Sequence, residues 1–337
     1  MLALNNEDIK NVVIFVSDSL RWDHLLDEIA KMGKVYKTIS SSLYTASSFP
    51  SIISGLYPPR HRVFNWNDII EKKHKGFFNN SDINTSLWCE TTWTKMGPDN
   101  SDIHRILRIK NGTSLEKIET PFVYLEDDKG GHCPYGFPFE KYTGGCKEFF
   151  KEFYKKENRE LKKQYRLGIE ESAKNFKKRI DTLKKRDILD ETLIIFTSDH
   201  GELLGEYGGL IGHGRPPCPE LVYVPTVFIH KSIKPETEKK YVIRHVDLYP
   251  TIAEILGFRT DFDIDGKSLM SNEPKTGLNF RSGNFLKAKG VNKYFIYNCE
   301  SIWDRKGGYV YHTLNRAKSV PFFTYRILSK HPRSLCM

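Results

Sequence analysis

An α/β fold, with a parallel or mixed sheet covered by helices on both faces, is predicted by two apolar runs that each end on acid and by an alternating order of strand and helix patterns. The runs are Val12-Val13-Ile14-Phe15-Val16-Ser17-Asp18-Ser19 and Leu193-Ile194-Ile195-Phe196-Thr197-Ser198-Asp199-His200-Gly201-Glu202. Short β-rich apolar runs stopped by Ser-Asp read as central strands. Ligand sites in open α/β sheets lie beyond the carboxyl ends of such strands, so Asp18, Asp199 and His200 are expected to converge. Two carboxylates and an imidazole suit a hard or borderline divalent cation. The competing reading of a strand-end Asp is a cap on the following helix.

The remaining elements follow in order. Leu20 to Met32 reads as a helix, Lys34 to Ile39 as a short strand and Ser47 to Ser54 as the opening of another helix. Phe122 to Leu125 is a further strand, followed by a long amphipathic helix from about Cys146 to Lys185. Val224 to Ile229 is a strand, and Asp247 to Gly257 a helix stopped by its glycine. From about residue 276 the helical pattern fades into aromatic strands, Lys293 to Tyr297 and Tyr309 to Tyr311. The expected organisation is a catalytic domain over residues 1–275 and a small antiparallel C-terminal subdomain over 276–337.

Composition narrows the function. The 337 residues are 39% apolar and 13% aromatic, enough for a large core. The formal charge is +10, but much of the excess lies in Lys147 to Lys185, where Lys and Glu alternate as on a solvated helix face, so nucleic acid is not expected. The first ten residues lack a secretory pattern, and no segment reaches the roughly 20 apolar residues of a membrane span. Six scattered cysteines without a C-x-x-C pair suit reduced thiols and a cytoplasmic location.

The order of motifs resembles the sulfatase-like branch of the alkaline phosphatase superfamily. The likeness rests on Asn11 to Leu25, Ser54-Gly55-Leu56-Tyr57-Pro58, His132-Cys133-Pro134-Tyr135, Thr197 to Glu202, Gly212-His213-Gly214 and His245 to Thr251, and spans roughly residues 8 to 275. It implies an alkaline-phosphatase-like fold and metal-dependent cleavage of anionic esters. In sulfatases a Cys that becomes formylglycine opens C-x-P-S-R ten residues before the Gly of the turn; counting back from Gly55 lands on Thr45. The segment Thr45-Ala46-Ser47-Ser48-Phe49-Pro50-Ser51 lacks the Cys, Pro and Arg of that signal. Thr45 in this place resembles the phosphodiesterase and phosphoglycerol-transferase branches.

Chemistry gives the substitution a direction. A formylglycine hydrate expels sulfate by collapsing to the aldehyde, whereas a Thr sulfate ester has no such exit. A phospho-Thr is cleared by in-line attack, so a phosphomonoester or phosphodiester is the expected substrate. Ser47 and Ser48 compete with Thr45 as nucleophile, and helix capping is the other reading of all three hydroxyls. The resemblance implies a cation held by Asp18, Thr45, Asp199 and His200, with His132 and His213 at the substrate face to bind oxygens or protonate the leaving group. Lys129 is expected to add positive charge for the substrate. His245 and Asp247 read as fixing a helix start. Sulfatases commonly carry a second acid beside the first; here it is Ser19, so one cation is expected, Mn, Mg or Ca, with Zn also compatible. Expected substrates are small-molecule, saccharide or lipid-headgroup esters. The alternatives are a sulfatase without formylglycine, a phosphoglycerol or phosphoethanolamine transferase, and a noncatalytic binding protein.

Overall fold

Side-chain alternation along β1 (Asn11–Ser17) decides the layering: Val12, Ile14 and Val16 enter one core, Val13 and Phe15 the other. The computed structural model describes residues 2–89, 98–110, 112–137, 146–153, 159–213, 217–260, 263–283 and 297–312. After β1 come β2 (Lys34–Ile39), α1 (Thr45–Ser54), β3 (Asn84–Cys89), β4 (Phe122–Asp128), α2 (Cys146–Phe153), α3 (Arg159–Lys185) and β5 (Thr192–Thr197). They are followed by β6 (Leu203–Gly205), β7 (Leu210–Gly212), β8 (Tyr223–Ile229), β9 (Glu236–Thr237), β10 (Ile243–Arg244) and α4 (Leu248–Leu256).

The main sheet runs β10-β2-β8-β5-β1-β4-β3, with β9 on β2. Its pairings are parallel except those of β8, which runs antiparallel to both β2 and β5. Phe49, Ile52 and Ile53 of α1 and Leu248, Ile252 and Ile255 of α4 cover one face; Leu161, Tyr165, Ile169 and Phe176 of α3 cover the other. This is the mixed, mostly parallel sheet sandwiched by helices that the sequence predicts. Register then places the chemistry. Val16 lies opposite both Asp127 and Thr197, so Asp18 and Asp199, each two residues farther along, leave the same carboxyl edge side by side.

Three local expectations need correction. The predicted helix from Leu20 to Met32 is instead a 3-10 turn at Trp22–His24 and a short helix at Asp27–Ala30. Its leading amides are committed elsewhere: Ser19 N–H to Asp199, Leu20 N–H to Ser198 Oγ and Arg21 N–H to the Tyr165 hydroxyl. β4 continues three residues beyond Leu125. No Thr45, Ser47 or Ser48 side chain caps α1; its N-cap is Tyr44, and all three lie inside the helix. The helix expected from Cys146 to Lys185 is described as α2 and α3.

The antiparallel C-terminal sheet consists of β11 (Thr276–Gly283), β12 (Tyr297–Asp304) and β13 (Gly308–His312). Of the strand expected at Lys293 to Tyr297, only Tyr297 lies within the described residues. This sheet braces the loop that feeds α1: Phe280 N–H donates to Ser41 O at 2.9 Å and Asn279 Nδ2 to Ser40 O at 2.8 Å. Among the described residues no helix is long and apolar enough to cross a membrane.

Candidate active site

Asp18, Asp199 and His200 meet at the carboxyl edge of β1 and β5, all buried, with ligand atoms within 4.8 Å of one another. Ser19 ties the acids together from a left-handed backbone with φ 60°. Its hydroxyl donates to Asp18 Oδ1 at 2.8 Å and its amide to Asp199 Oδ1 at 3.1 Å. Asp199 Oδ1 also accepts the His200 amide at 2.9 Å, while Oδ2 is buried without a hydrogen-bond donor.

The donor set fits a divalent cation. His200 Nδ1 lies 2.9 Å from Gly201 O and therefore donates to it, which leaves Nε2 as a lone pair. That lone pair lies 3.3 Å from Asp199 Oδ2 and 3.8 Å from Asp18 Oδ1. Burial pulls His200 down to about 4, so the ring is neutral near pH 7. Burial, then the Asp199 charge, push the Asp18 carboxyl well above the usual range. Three lone-pair groups facing one another in a dry site need a shared positive charge. Asp18, Asp199 and His200 would hold it.

Thr45 opens α1 directly over this cluster, its Oγ1 3.2 Å from His200 Nε2. As the first helical residue it sits at the positive end of the helix dipole, which favours a developing alkoxide. Its neighbours face away: Ser47 Oγ donates to Val63 O at 2.8 Å and Ser48 Oγ to Ser42 O at 3.3 Å. Ser47→Ala and Ser48→Ala should each keep turnover within about threefold of wild type while lowering stability by about 1 kcal/mol, as read by steady-state kinetics and urea unfolding.

His132 and His213 join the cluster from two loops, with ring centroids 5.4 Å apart and His213 4.3 Å from His200. Burial acts downward on His132, but Asp18 and Cys146 outweigh it and hold the ring well above its usual value. Burial, then His132, pull His213 down to about 3. Lys129 does not join them. It lines a separate cavity with Asp128 and α3 residues, because the loop after β4 turns at Gly130 (φ +51°), where an added Cβ would lie 2.4 Å from Asp18 O. His245 and Asp247 are structural: His245 Nε2 bonds Ser198 O at 2.9 Å, and Asp247 receives the Arg244 and Lys267 amides at 3.0 Å.

A cavity of about 450 Å³ opens onto Asp18, Thr45, His132 and His213, with Tyr44, Trp66, Phe150 and Cys146 on its walls. Its described lining carries the carboxylates Asp18, Asp102 and Asp127 and no Lys or Arg. Those carboxylates favour a cation in the cavity. Asp127 was not foreseen. It belongs to the run Glu126-Asp127-Asp128, where alternation turns Glu126 and Asp128 toward Arg179 and Asn175 of α3 and leaves Asp127 facing the cavity. The signal was the same apolar-then-acid pattern seen in β1 and β5.

The sulfatase family profile matches residues 120–258. A protein of Haloferax volcanii described as "Low-salt glycan biosynthesis sulfotransferase Agl7" is 34% identical over 322 residues, covering 94% of this chain and 78% of that protein. The chain belongs to the sulfatase family. Human arylsulfatase K is 28% identical over 142 residues, 42% of this chain and 26% of that sulfatase. Among solved structures, the phosphonate monoester hydrolase of Agrobacterium radiobacter superposes with a TM-score of 0.63 at 14% identity, covering 95% of this chain and 93% of that one. This sulfatase-family chain has the alkaline-phosphatase-like fold and is an ester hydrolase by family.

Proposed function

We propose that the enzyme cleaves a phosphoric ester of a saccharide, lipid headgroup or other small alcohol, with Thr45 as nucleophile. The observation that carries this is the Thr45 hydroxyl, 3.2 Å from His200 Nε2 and aimed into the Asp18, Asp199 and His200 cluster from a helix N-terminus. A bound divalent ion, Mn, Mg or Ca, with Zn also compatible, would supply the positive charge that an anionic ester needs there. Thr45 Oγ1 loses its proton to water in the cavity and attacks phosphorus; the new O–P bond forms as the bond to the leaving alcohol breaks. His132 and His213 face the departing oxygen, and one of them gives it a proton. Water then attacks the phospho-Thr in line, releasing phosphate or a phosphomonoester and restoring the hydroxyl. The aromatic wall of Tyr44, Trp66 and Phe150 supports a sugar or aryl group beside the ester. Cys89, Cys133, Cys146, Cys218 and Cys299 are thiols rather than disulfide halves, which supports a cytoplasmic location.

One observation favours a second reading, sulfuryl transfer: the Haloferax relative that matches 94% of this chain is described as a sulfotransferase. A sulfo-Thr, unable to collapse as a formylglycine sulfate does, would be cleared by attack of an acceptor hydroxyl at sulfur. The test is turnover of p-nitrophenyl phosphate, bis-p-nitrophenyl phosphate, a phenylphosphonate ester and p-nitrophenyl sulfate, each with Mn, Mg, Ca or chelator, with and without a saccharide acceptor. The expected result is metal-dependent phosphoester turnover that does not need the acceptor. Sulfate ester turnover that appears only with acceptor would replace the first reading by the second.

A further inference from the structure

The proposed reaction leaves unused a fully buried carboxylate beside it. Glu202 lies at the centre of a three-residue chain: its Oε1 accepts the Tyr135 hydroxyl at 2.8 Å, and its Oε2 lies 2.9 Å from His213 Nδ1. The Glu202 side chain is 0% exposed and that of His213 15%. Burying a carboxylate is costly unless its oxygens are satisfied, and here one partner comes from the loop after β4 and the other from just beyond β7. Tyr135 is held at φ 59°, a region that aromatic residues seldom occupy, by rings of Phe149 and Tyr165 at 5.0 and 5.5 Å.

With Nδ1 occupied by Glu202, the nitrogen that His213 can offer the cavity it lines is Nε2. A carboxylate hydrogen-bonded to one ring nitrogen fixes the tautomer and plane of an imidazole. We infer that Glu202 is the positioning residue for His213, and that the pair delivers a proton from His213 Nε2 to the departing oxygen. This rests on the ester-cleavage reading above. When the pair holds one proton more than neutral imidazole and carboxylate, Nε2 carries a hydrogen whichever partner holds the one between them. As the bond from phosphorus or sulfur to the leaving oxygen breaks, that oxygen takes the Nε2 proton. Nδ1–H is left against the carboxylate, and water returns a proton to Nε2 before the next turnover.

His200, Glu202 and His213 also bring ligand atoms within 4.8 Å of one another, as a cation site would. Against that, both Glu202 oxygens are engaged. His200 has one free lone pair, on Nε2, and it already faces Asp18 and Asp199. One lone pair serves one ion.

The test uses the full chain with added cation and a series of aryl esters whose phenols run from strongly to weakly acidic. Glu202→Gln should lower kcat about 10²- to 10³-fold for the least acidic phenol but less than about fivefold for the most acidic, which departs without a proton. KM and the cation concentration for half-maximal rate should not change. His213→Ala should show the same leaving-group pattern, and the double variant should be no worse than either alone. Tyr135→Phe, which removes one hydroxyl and keeps the ring packing, should show the pattern at about a tenfold level and carries the test if Glu202→Gln fails to fold. Equal losses on every phenol would make Glu202 merely structural and overturn the inference. A raised cation requirement would overturn it in favour of a ligand role. Failure of the underlying reading is separate, since it would show as Thr45→Ala retaining full activity.

Discussion

Thr45→Ala should lower turnover by at least about 10⁴-fold while the chain stays folded and still gains stability from a divalent cation. The loss is large because no neighbouring hydroxyl can take over. Ser47 and Ser48 are bonded to the Val63 and Ser42 carbonyls, and either would have to break that bond and turn around the helix to reach the cluster. The fold tolerates the change, because Thr45 is the first residue of α1, makes no cap, and is replaced by a better helix former. The cation donors stay in place, since Asp18, Asp199 and His200 are held by bonds to Ser19, to the His200 amide and to Gly201. Thr45→Ser keeps a hydroxyl and should retain activity within about 100-fold of wild type, the lost methyl having restricted the rotamer. Rapid quenching during turnover, followed by peptide mass analysis, should find phosphate or sulfate on the peptide that contains Thr45. Wild-type rates in Thr45→Ala would place the nucleophile elsewhere.

The legible parts of this site are those that the backbone pattern encodes locally. An apolar run closed by Ser-Asp announces both a buried strand and an acid at its carboxyl end, and parallel pairing then brings Asp18 and Asp199 together without further information. The same logic reached β4 but stopped at Leu125, because three consecutive acids read as the end of a strand. They continue it since Arg179, contributed by α3, neutralises Glu126, and Asn175 from the same helix bonds Asp128. Such tertiary partners leave no trace in the strand's own residues. The break at Leu20 to Met32 has the same origin, in amides drawn to Asp199, Ser198 and Tyr165. Thr45 was reached by motif spacing, not by local chemistry, which offers three hydroxyls of equal merit; the structure adds which way each one points. Lys129 misled because distance along a loop says nothing about which side of Gly130 a side chain emerges on. Glu202 stood inside a recognised motif, yet its partners Tyr135 and His213 are remote in the chain, and only folding joins them.

Asp18→Asn should reduce activity by more than about 10³-fold and weaken divalent-cation binding by more than about 100-fold, yet stabilise the protein in chelator at neutral pH. The two effects share one cause. Burial and the neighbouring Asp199 charge raise the Asp18 carboxyl well above its unfolded value near 3.8, so the folded state prefers it protonated. Below the unfolded pKa the group is neutral in both states and costs nothing. As pH rises through the interval up to the folded pKa, the unfolded chain ionises first and stability falls, and it stays lost above. The amide introduced by Asp18→Asn removes that decline while keeping an oxygen to accept the Ser19 hydroxyl at the place of Asp18 Oδ1. In the wild type a cation at about 100 times its Kd returns about 2.7 kcal/mol, which the variant forgoes. Melting curves in chelator and in Mn or Mg, from pH 4 to 8, should therefore cross over. The variant should melt higher without metal and show a flatter pH dependence, and the wild type should melt higher with it. A wild type that gains nothing from cation, or a variant that gains as much, would move the cation away from Asp18 and toward the His200, Glu202 and His213 group, undoing the assignment of Glu202 at the same time.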